Sequence, residues 1–405
     1  MAQSASAKSR PESVQRIEPT SFEAVPPELA DLAAELAAAA SALGNALHPR
    51  TAASLARLVR IMNAYYSNLI EGQHTRPRDI ERALVGDLDA DETRRNLQLE
   101  AASHVRVQTI VDRLAADGQL REPASEEFIQ FLHREFYDGV PESMLFVRST
   151  RPDYRMKPGE WRSNAEDDVV VGRHRPPSSA HVEESMRYFS ARFRFAEMGA
   201  STKIFAMAIA HHRLNYIHPF PDGNGRVSRL MSHAMAHAAG IGAHGLWSVS
   251  RGLARGLDSR NEYKSMMDLA DTPREGALDG RGNLSLKALT EFVAWFLRVC
   301  LDQVRFMSSL FELNALGFRL RELVEHRYRL RPEAATLVEQ LLARGELERA
   351  RVPIVLGMAE RSARRIVSEL VELGLVGSAT PKGPLSLQFT PTDSELLFPR
   401  LFPVT

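Results

Sequence analysis

The chain contains 405 residues, of which 44% are hydrophobic and 25% charged, a composition typical of a globular protein and not of a wholly disordered or collagen-like one. Its 51 basic and 51 acidic residues give a formal net charge of zero, which excludes a whole-molecule field that attracts nucleic acid or an anionic membrane. Any anion site must therefore be local. At roughly 100–200 residues per domain, the length predicts two or three domains.

The cysteine content and the hydropathy of the sequence indicate in which cellular compartment the protein is expected. The single cysteine, Cys300, excludes an internal disulfide and a cysteine-based zinc cage, as expected in a reducing cytosol. No stretch approaches the roughly 20 apolar residues that a membrane-spanning helix needs, and the segment MAQSASAKSRPES lacks the apolar centre of a secretory signal. We therefore expect a soluble, cytoplasmic protein with no membrane partner.

Helical patterning dominates the chain after an N-terminal arm. Residues 1–25 are small, polar and interrupted by proline, which predicts disorder. Predicted helices follow at about 27–48, 51–70, 79–85, 91–117 and 125–138. The short valine run of DDVVVGRHRPP predicts a small β-hairpin within 151–176. Further helices are predicted at about 180–198, 201–217, 224–239, 259–270 and 285–316.

The last 75 residues or so change character. Two helices at about 332–344 and 348–356 precede the helix AERSARRIVSELVELG and two strand-like runs around a Pro/Gly turn, the element order of a winged-helix domain. The third helix offers Arg361, Arg364 and Arg365 to DNA. Residues 331–405 nevertheless hold nine basic and nine acidic residues, whereas DNA-binding modules usually present a basic surface. We therefore favour protein recruitment or a dimer contact over DNA binding, with both DNA binding and a homodimer left open.

The segment IHPFPDGNGRVSR, residues 217–229, carries the most specific chemistry. Because Pro219 cannot continue a helix and disfavours helical geometry in the residue before it, one helix is predicted to end at His218. Gly223 and Gly225 are free to adopt positive φ in a turn, after which the next predicted helix begins. Bare N–H groups at a helix N-terminus are the arrangement that binds phosphate.

Charged side chains in the same segment fit a polyphosphate. Arg226 and Arg229 share one face of the first helical turns, where the dipole is positive and a cluster of cations needs an anion. A polyphosphate supplies that anion through bidentate guanidinium contacts. Asp222 is suited to hold Mg²⁺ beside phosphates. His218 carries an imidazole, a group that ordinarily titrates near neutrality, and is placed to take a hydroxyl proton.

From His218 to Arg229 the sequence matches every fixed position of HPFxDGNGRxxR, the signature of the Fic (filamentation induced by cyclic AMP) family. It resembles that family over about 50–300 in the order of its predicted helices. Fic proteins typically transfer AMP from ATP to a hydroxyl side chain of a target protein. The resemblance therefore implies a protein adenylyltransferase that uses ATP and Mg²⁺. One departure is Asn215, where many members carry Glu, and it lies outside the fixed signature.

The resemblance also implies a role for each residue of the signature. His218 is implied to deprotonate a Tyr, Thr or Ser hydroxyl of the target, and Asp222 to hold Mg²⁺ across the α- and β-phosphates. The other implied roles are a phosphate cradle (Gly223, Asn224 and Gly225), a β-phosphate contact (Arg226), a γ-phosphate contact (Arg229) and a buried anchor of the loop (Phe220).

Two further assignments rest on the resemblance. The predicted hairpin at Val169, Val170 and Val171 stands where the family has a flap that docks the target protein, and backbone pairing there would read little target sequence. Tyr263 resembles the part of the family that lines the adenine pocket, although an aromatic residue on a helix is more often core.

A second motif, SNLIEG at residues 67–72, precedes the signature. Glu71 comes just before a helix-ending glycine, Gly72, where the dipole is negative and a carboxylate gains from a cation partner. Ser67 lies four residues earlier on the same helical face. The motif matches the family's inhibitory pattern [S/T]xxxE[G/N]. The resemblance implies that Glu71 pairs with Arg229 and keeps ATP out of its productive pose.

Two histidines on the predicted helix after the signature are candidate metal ligands. His233 and His237 are four residues apart and share a face, a spacing that two zinc ligands can adopt. No acidic residue lies between them and the sequence indicates no third ligand. Packing or surface placement is therefore favoured.

These patterns predict a mainly α-helical fold: a Fic-type helical bundle with a small β-hairpin flap, plus a C-terminal winged-helix domain. The predicted divisions are a disordered arm (1–25), an N-terminal helical region with the inhibitory motif (26–120), a Fic catalytic core (121–315) and the winged-helix domain (330–405). The predicted activity is AMP transfer from ATP to a target protein, inhibited by Glu71. Removal of AMP, transfer of another nucleotide, and a nucleotide-sensing DNA-binding regulator remain as alternatives.

Overall fold

A computed structural model describes residues 12–147, 154–170 and 174–402. Its helices up to the signature loop and directly after it are α1 (Pro27–Asn45), α2 (Pro49–Ile70), α3 (Pro77–Leu84), α4 (Glu92–Ala116), α5 (Glu126–Phe136), α6 (Val182–Arg192), α7 (Ala200–Ile217) and α8 (Asn224–Ala238). The later helices are α9 (Val249–Arg255), α10 (Glu262–Ala270), α11 (Leu286–Phe311), α12 (Leu313–Glu322), α13 (Pro332–Arg344), α14 (Val352–Leu356), α15 (Glu360–Glu372) and α16 (Ser394–Leu397). Two short strands, β1 (Val376–Gly377) and β2 (Ser386–Leu387), pair antiparallel.

The predicted mainly helical fold is confirmed, and the helices of the second half differ from the prediction at α9, at Glu312 and at α16. Helix α9 was not predicted, because its seven residues are too few to show a helical period. The helix predicted over 285–316 is broken at Glu312, whose backbone is not helical (φ −57°, ψ 126°). Its carboxylate accepts hydrogen bonds from the N–H groups of Asn314 and Ala315 and so caps α12.

Helix α7 lies at the centre of the helical bundle. Most of its residues are buried, and it packs against α1, α6, α8 and α11. Helix α8 contacts α4 and α5 as well as α7. The loop between α7 and α8 is therefore held on a rigid helix pair and faces the ends of α2 and α4.

The predicted disorder of residues 1–25 is wrong for residues 12–25. Val14–Ile17 form one turn of 3₁₀ helix, and Ile17 is buried in the core. The Glu12 carboxylate accepts hydrogen bonds from the Ser178 N–H and hydroxyl, at 3.0 and 2.7 Å. One buried apolar side chain and one satisfied carboxylate anchor a segment whose composition alone indicates disorder. Residues 1–11 lie outside the described residues.

The predicted hairpin at Val169–Val171 is not formed by the described residues. Val169 and Val170 belong to no strand, and Val170 is 63% exposed, while Val171 lies outside the described residues. A valine run becomes a strand only when a neighbouring segment completes its hydrogen-bond ladder. In the described part of 151–176 there are isolated bridges, such as Phe146 with Arg155, but no strand.

The C-terminal region has the predicted order of three helices followed by two paired strands. Leu347 and Leu385 add an isolated bridge beside the strand pair. On α15, Arg364 and Arg365 pair with Glu360 and Glu369 of the same helix. The winged-helix assignment and the role of this region stay predictions.

The C-terminal region packs on α2. The Thr51 hydroxyl donates to the Leu342 carbonyl at 3.1 Å, and the Tyr66 hydroxyl to the Leu401 carbonyl at 3.1 Å. Among the described residues, none of the helices combines the length and the apolar character that a bilayer crossing requires.

Candidate functional site

The loop between α7 and α8 is fixed by hydrogen bonds between a side chain of the loop and its backbone. His218 ends α7 in the left-handed region (φ 51°), an uncommon conformation for a residue other than glycine. Gly223 adopts φ 78° directly before α8. The Asn224 side chain closes the loop, because its Oδ1 accepts from the Phe220 N–H (2.9 Å) and its Nδ2 donates to the Phe220 carbonyl (2.8 Å). Asn224 is therefore a clamp of the loop itself.

Phe220 anchors the loop, as predicted from the resemblance. Its ring is fully buried, stacks on His133 at 3.9 Å and lies 4.7 Å from the Trp161 ring. His133 Nδ1 accepts from the Gly159 N–H at 2.8 Å, so its Nε2 carries the proton and donates to the Asp222 carbonyl at 3.2 Å. Burial lowers the pKa of His133 to about 3, which keeps this imidazole neutral.

Arg162 binds the carbonyl groups that α7 leaves without helical partners. Its Nε donates to the His218 carbonyl at 2.8 Å, its backbone N–H to the Pro219 carbonyl at 2.9 Å and its Nη2 to the Ile217 carbonyl at 3.2 Å. Its Nη1 pairs with Asp168 at 2.8 Å. A buried cation at the negative end of a helix dipole is favourable, and here it also holds His218 in its strained conformation.

The imidazole of His218 is held in its basic form. Burial, together with the nearby charge of Arg162, lowers the pKa of His218 to about 4. A hydrogen bond to the Asn215 carbonyl acts in the opposite direction without restoring the ordinary value. At neutral pH this side chain can therefore accept a proton.

The Arg229 side chain binds to residues at the C-terminal end of α2. Its Nη2 lies 2.6 Å from Glu71 Oε1, its Nε donates to the Ser67 hydroxyl at 2.9 Å, and the side chain is 1% exposed. Burial acts to raise the pKa of Glu71, but the charges of Arg229 and Arg226 outweigh it and hold that pKa below its ordinary value. A Cβ on Gly225 would lie 2.5 Å from Glu71 Oε1, so only glycine there admits the carboxylate.

Arg226 forms an ion pair with Glu100, a residue that the sequence did not indicate as part of the site. Its Nη2 donates to Glu100 Oε2 at 2.8 Å and to Gln73 Oε1 at 3.1 Å, and its guanidinium lies over the Phe136 ring at 5.5 Å. Burial raises the pKa of Glu100, and the charge of Arg226 only partly offsets that effect. Both arginines of the first turns of α8 thus carry a carboxylate partner from another helix.

A cleft of about 1,340 Å³ opens beside this loop. Its lining residues come from the end of α2, from α4, from the loop and from the segment that contains Val169 and Val170: they include Glu71, Gln73, Glu100, Val169, Val170, Asp222 and Arg226. Asp222 is exposed there, and its Oδ1 accepts from the Gly223 N–H at 2.7 Å. Part of the predicted signature (Asp222 and Arg226), of the inhibitory motif (Glu71 and Gly72) and of the flap (Val169 and Val170) therefore lines one cleft.

A sequence profile of the Fic/DOC family matches residues 123–236, the segment that contains this loop. This segment is therefore similar to Fic domains. It is 35% identical over 86 residues to a protein from Nematostella vectensis and 37% identical over 82 residues to one from Drosophila melanogaster, each named protein adenylyltransferase Fic. These matches cover 21% and 20% of this chain and only 19% and 16% of the two relatives. The chain thus matches less than a fifth of the length of these relatives.

The fold comparison extends further along the chain than the sequence comparison. A Fic family protein from Desulfovibrio desulfuricans has a TM-score of 0.52 at 18% identity and covers 91% of this chain and 98% of its own. Fic-1 (aa134–508) from C. elegans has a TM-score of 0.52 at 15% identity and covers 71% and 73%. At these identities the likeness shows the Fic fold alone.

Tyr263 is buried in the helical bundle and is not among the residues that line the cleft. Its hydroxyl is 2.9 Å from His211 Nε2, and His211 Nδ1 is 2.8 Å from the Ser232 hydroxyl. The Tyr263 ring is stacked over Trp295 at 6.4 Å. These contacts are those of a buried residue, and its predicted place at the adenine pocket stays a prediction.

Arg162→Lys is expected to destabilise the Fic domain more than a surface exchange does. Lysine cannot form the guanidinium fork, so buried carbonyls lose donors and the free energy of unfolding falls by about 2–3 kcal/mol. Urea denaturation measures the change. The matched control is Arg187→Lys, whose exposed pair with Glu183 predicts a change within about 0.5 kcal/mol. Equal stability of the two variants would contradict the role of Arg162.

Proposed function

We propose that the protein transfers AMP from ATP to a hydroxyl side chain of a target protein and that Glu71 inhibits the transfer. The observation that carries the proposal is the convergence of a neutral imidazole, His218, with Arg226 and Arg229 at the positive end of α8. A base beside a cationic, amide-lined helix N-terminus is suited to phosphate chemistry. The names of the partial relatives support AMP as the group transferred.

In the proposed step, the neutral His218 takes the proton of the target hydroxyl as that oxygen attacks the α-phosphorus of ATP. A new phosphorus–oxygen bond forms, the bond to the bridging oxygen between the α- and β-phosphates breaks, and pyrophosphate leaves with the bonding electrons. Arg226 and Arg229 neutralise charge that develops on the leaving group, which is where stabilisation lowers the barrier. The backbone N–H groups at the start of α8 face the same charge.

The residues present fit a magnesium ion. Asp222 offers an exposed carboxylate at the cleft, and Mg²⁺ prefers hard oxygen ligands and few of them from protein. We propose that Asp222 holds Mg²⁺, which supplies charge neutralisation on the phosphates when bound.

The inhibition is proposed to act through the two arginines. Glu71 forms an ion pair with Arg229, and Glu100 forms one with Arg226. ATP must therefore compete with these carboxylates for the two arginines. Removing one carboxylate leaves its arginine buried without an anion, and such a group gains strongly from a phosphate. The segment with Val169 and Val170, on the lining of the cleft, is proposed to dock the target beside His218.

Removal of AMP from a target is the second candidate, because the Glu71 carboxylate itself stands at the site, where it can orient a water. A target that already carries labelled AMP distinguishes the two reactions. Loss of label that depends on Glu71 supports removal, and gain of label in Glu71→Gly supports transfer.

Glu71→Gly is expected to raise AMP incorporation by about 10-fold or more, since it removes a charge-assisted bond worth about 1.5–3 kcal/mol. Incubation with α-labelled ATP and Mg²⁺ measures the label on protein, including self-modification. In the double variant Glu71→Gly/His218→Ala, the label should fall to background. Equal labelling of Glu71→Gly and the parent would remove the inhibitory role.

Glu100→Gln is expected to lower the KM for ATP several-fold in the Glu71→Gly background, because it frees Arg226 while keeping a similar shape. Steady-state kinetics at varied ATP give the KM. Glu92→Gln, an exposed exchange on the same helix, serves as the control and should leave the KM unchanged. A higher KM in Glu100→Gln would mean that Glu100 positions Arg226 rather than blocks it.

The pH dependence of transfer should reflect the lowered pKa of His218. Because that pKa is about 4 in the free protein, the basic form dominates at all higher pH values, and kcat/KM of Glu71→Gly for ATP should stay level from neutrality down to about pH 5. The value of kcat/KM should then fall as the pH approaches 4. The measurement uses saturating Mg²⁺ and limiting ATP. An acidic limb centred near the ordinary imidazole value of about 6.5 would contradict the buried, neutral base.

A further inference from the structure

Three side chains converge away from the cleft, between α4 and α8. His233 Nε2 lies 2.6 Å and His237 Nε2 3.2 Å from Asp112 Oδ1, and the two Nε2 atoms are 3.3 Å apart. The side chains are largely buried, with exposed fractions of 14% for Asp112, 6% for His233 and 10% for His237. The sequence indicated His233 and His237 as candidate ligands but no third one. In the fold, Asp112 of α4, more than a hundred residues earlier in the chain, contacts both histidines.

Hydrogen bonds alone do not satisfy this arrangement well. For both imidazoles to bond the one carboxylate oxygen, both Nε2 atoms must carry protons, and two N–H groups then face each other across 3.3 Å. If one Nε2 lacks its proton, that nitrogen directs a lone pair at the carboxylate oxygen. A cation that receives one lone pair from each of the three atoms removes this conflict.

The spacing also matches a metal site. A tetrahedral zinc ion with bonds of about 2.0–2.1 Å separates its ligand atoms by about 3.3 Å. The Nε2–Nε2 distance and one of the two Nε2–Oδ1 distances have this value, while the third contact is shorter. Two imidazoles and one carboxylate are donors that suit zinc and related divalent ions better than magnesium.

Neighbouring groups orient the ligands in the way that metal sites require. Arg60 of α2 donates to Asp112 Oδ2 at 2.7 Å, which leaves Oδ1 directed at the histidines. A Cβ on Gly242 would lie 2.4 Å from His237 Nδ1, so glycine there permits the position of that ring.

We propose that Asp112, His233 and His237 bind a divalent transition-metal ion, best matched by Zn²⁺, with water at the fourth position. The ion ties α8 to α4. His233 lies four residues beyond Arg229, about 6 Å along the helix axis. The site therefore fixes the helix that carries both arginines of the cleft, although it is separate from the proposed magnesium ligand Asp222.

The test uses the full chain, purified without a metal-chelating tag, stripped with EDTA and then dialysed against Zn²⁺ of known concentration. Elemental analysis should find about one zinc per chain, and at saturating zinc the thermal midpoint should rise by about 5 °C over the stripped protein. Co²⁺ in place of Zn²⁺ should give the visible absorption of a tetrahedral site. No stoichiometric metal and no shift of the midpoint would overturn the proposal.

Variants separate metal ligation from packing. His237→Gln and Asp112→Asn should each lower zinc affinity at least 100-fold, and Arg60→Met, which keeps all three ligands, by about 10-fold. His326→Gln, an exposed histidine elsewhere, is the control and should still bind one zinc. Undiminished zinc binding in His237→Gln and Asp112→Asn would overturn the assignment. The metal content of the parent protein decides the question even where a variant fails to fold.

Discussion

The site depends on one electrostatic constraint: the guanidinium groups of Arg226 and Arg229 lie at the positive end of α8 and require anionic partners. Arg226 and Arg229 are buried where a helix dipole already places positive charge. Burying cations there is costly unless each is paired. Glu100 and Glu71 provide the pairs in this structure. In the proposed function a triphosphate supplies anions to the same two arginines, so the nucleotide competes with Glu71 and Glu100 for them.

In the proposed account, the position of α2 controls this competition between Glu71 and the nucleotide. Helix α2 presents Ser67 and Glu71 to Arg229 at one end, and along its length it contacts the C-terminal region through Thr51 and Tyr66. A partner that moves the C-terminal region would act on α2 and thereby on Glu71. Helix α8 is constrained at both ends in the proposed account, by the loop clamp of Asn224 and by the cluster of His233, His237 and Asp112.

The sequence predicted the helical fold and the signature loop because both are local patterns. Apolar periodicity placed most helices, and a twelve-residue signature named His218, Asp222 and the two arginines. Ser67 and Glu71 were expected opposite Arg229, and the structure brings them together. The break at Glu312 was missed, since a single capping carboxylate interrupts an otherwise continuous apolar pattern.

Residues that act across long separations could not be predicted in the same way. Glu100, Arg162, His133 and Asp112 stand in no motif, and each becomes informative only when the fold places it against α7 or α8. Disorder of residues 12–25 was predicted from composition, which does not register the anchor that one buried side chain, Ile17, supplies. The valine run predicted a strand, but its described residues, Val169 and Val170, belong to none, because pairing depends on a neighbour and not on the run itself.

The most direct measurement is a crystal structure of the Glu71→Gly variant soaked with magnesium and a non-hydrolysable ATP analogue. We expect the β- and γ-phosphates within hydrogen-bonding distance of Arg226 and Arg229, with the α-phosphorus on the side of His218. An analogue bound elsewhere, or a loop that stays closed to phosphate although Arg229 has lost its carboxylate, would contradict the exchange of anions on which the account is built.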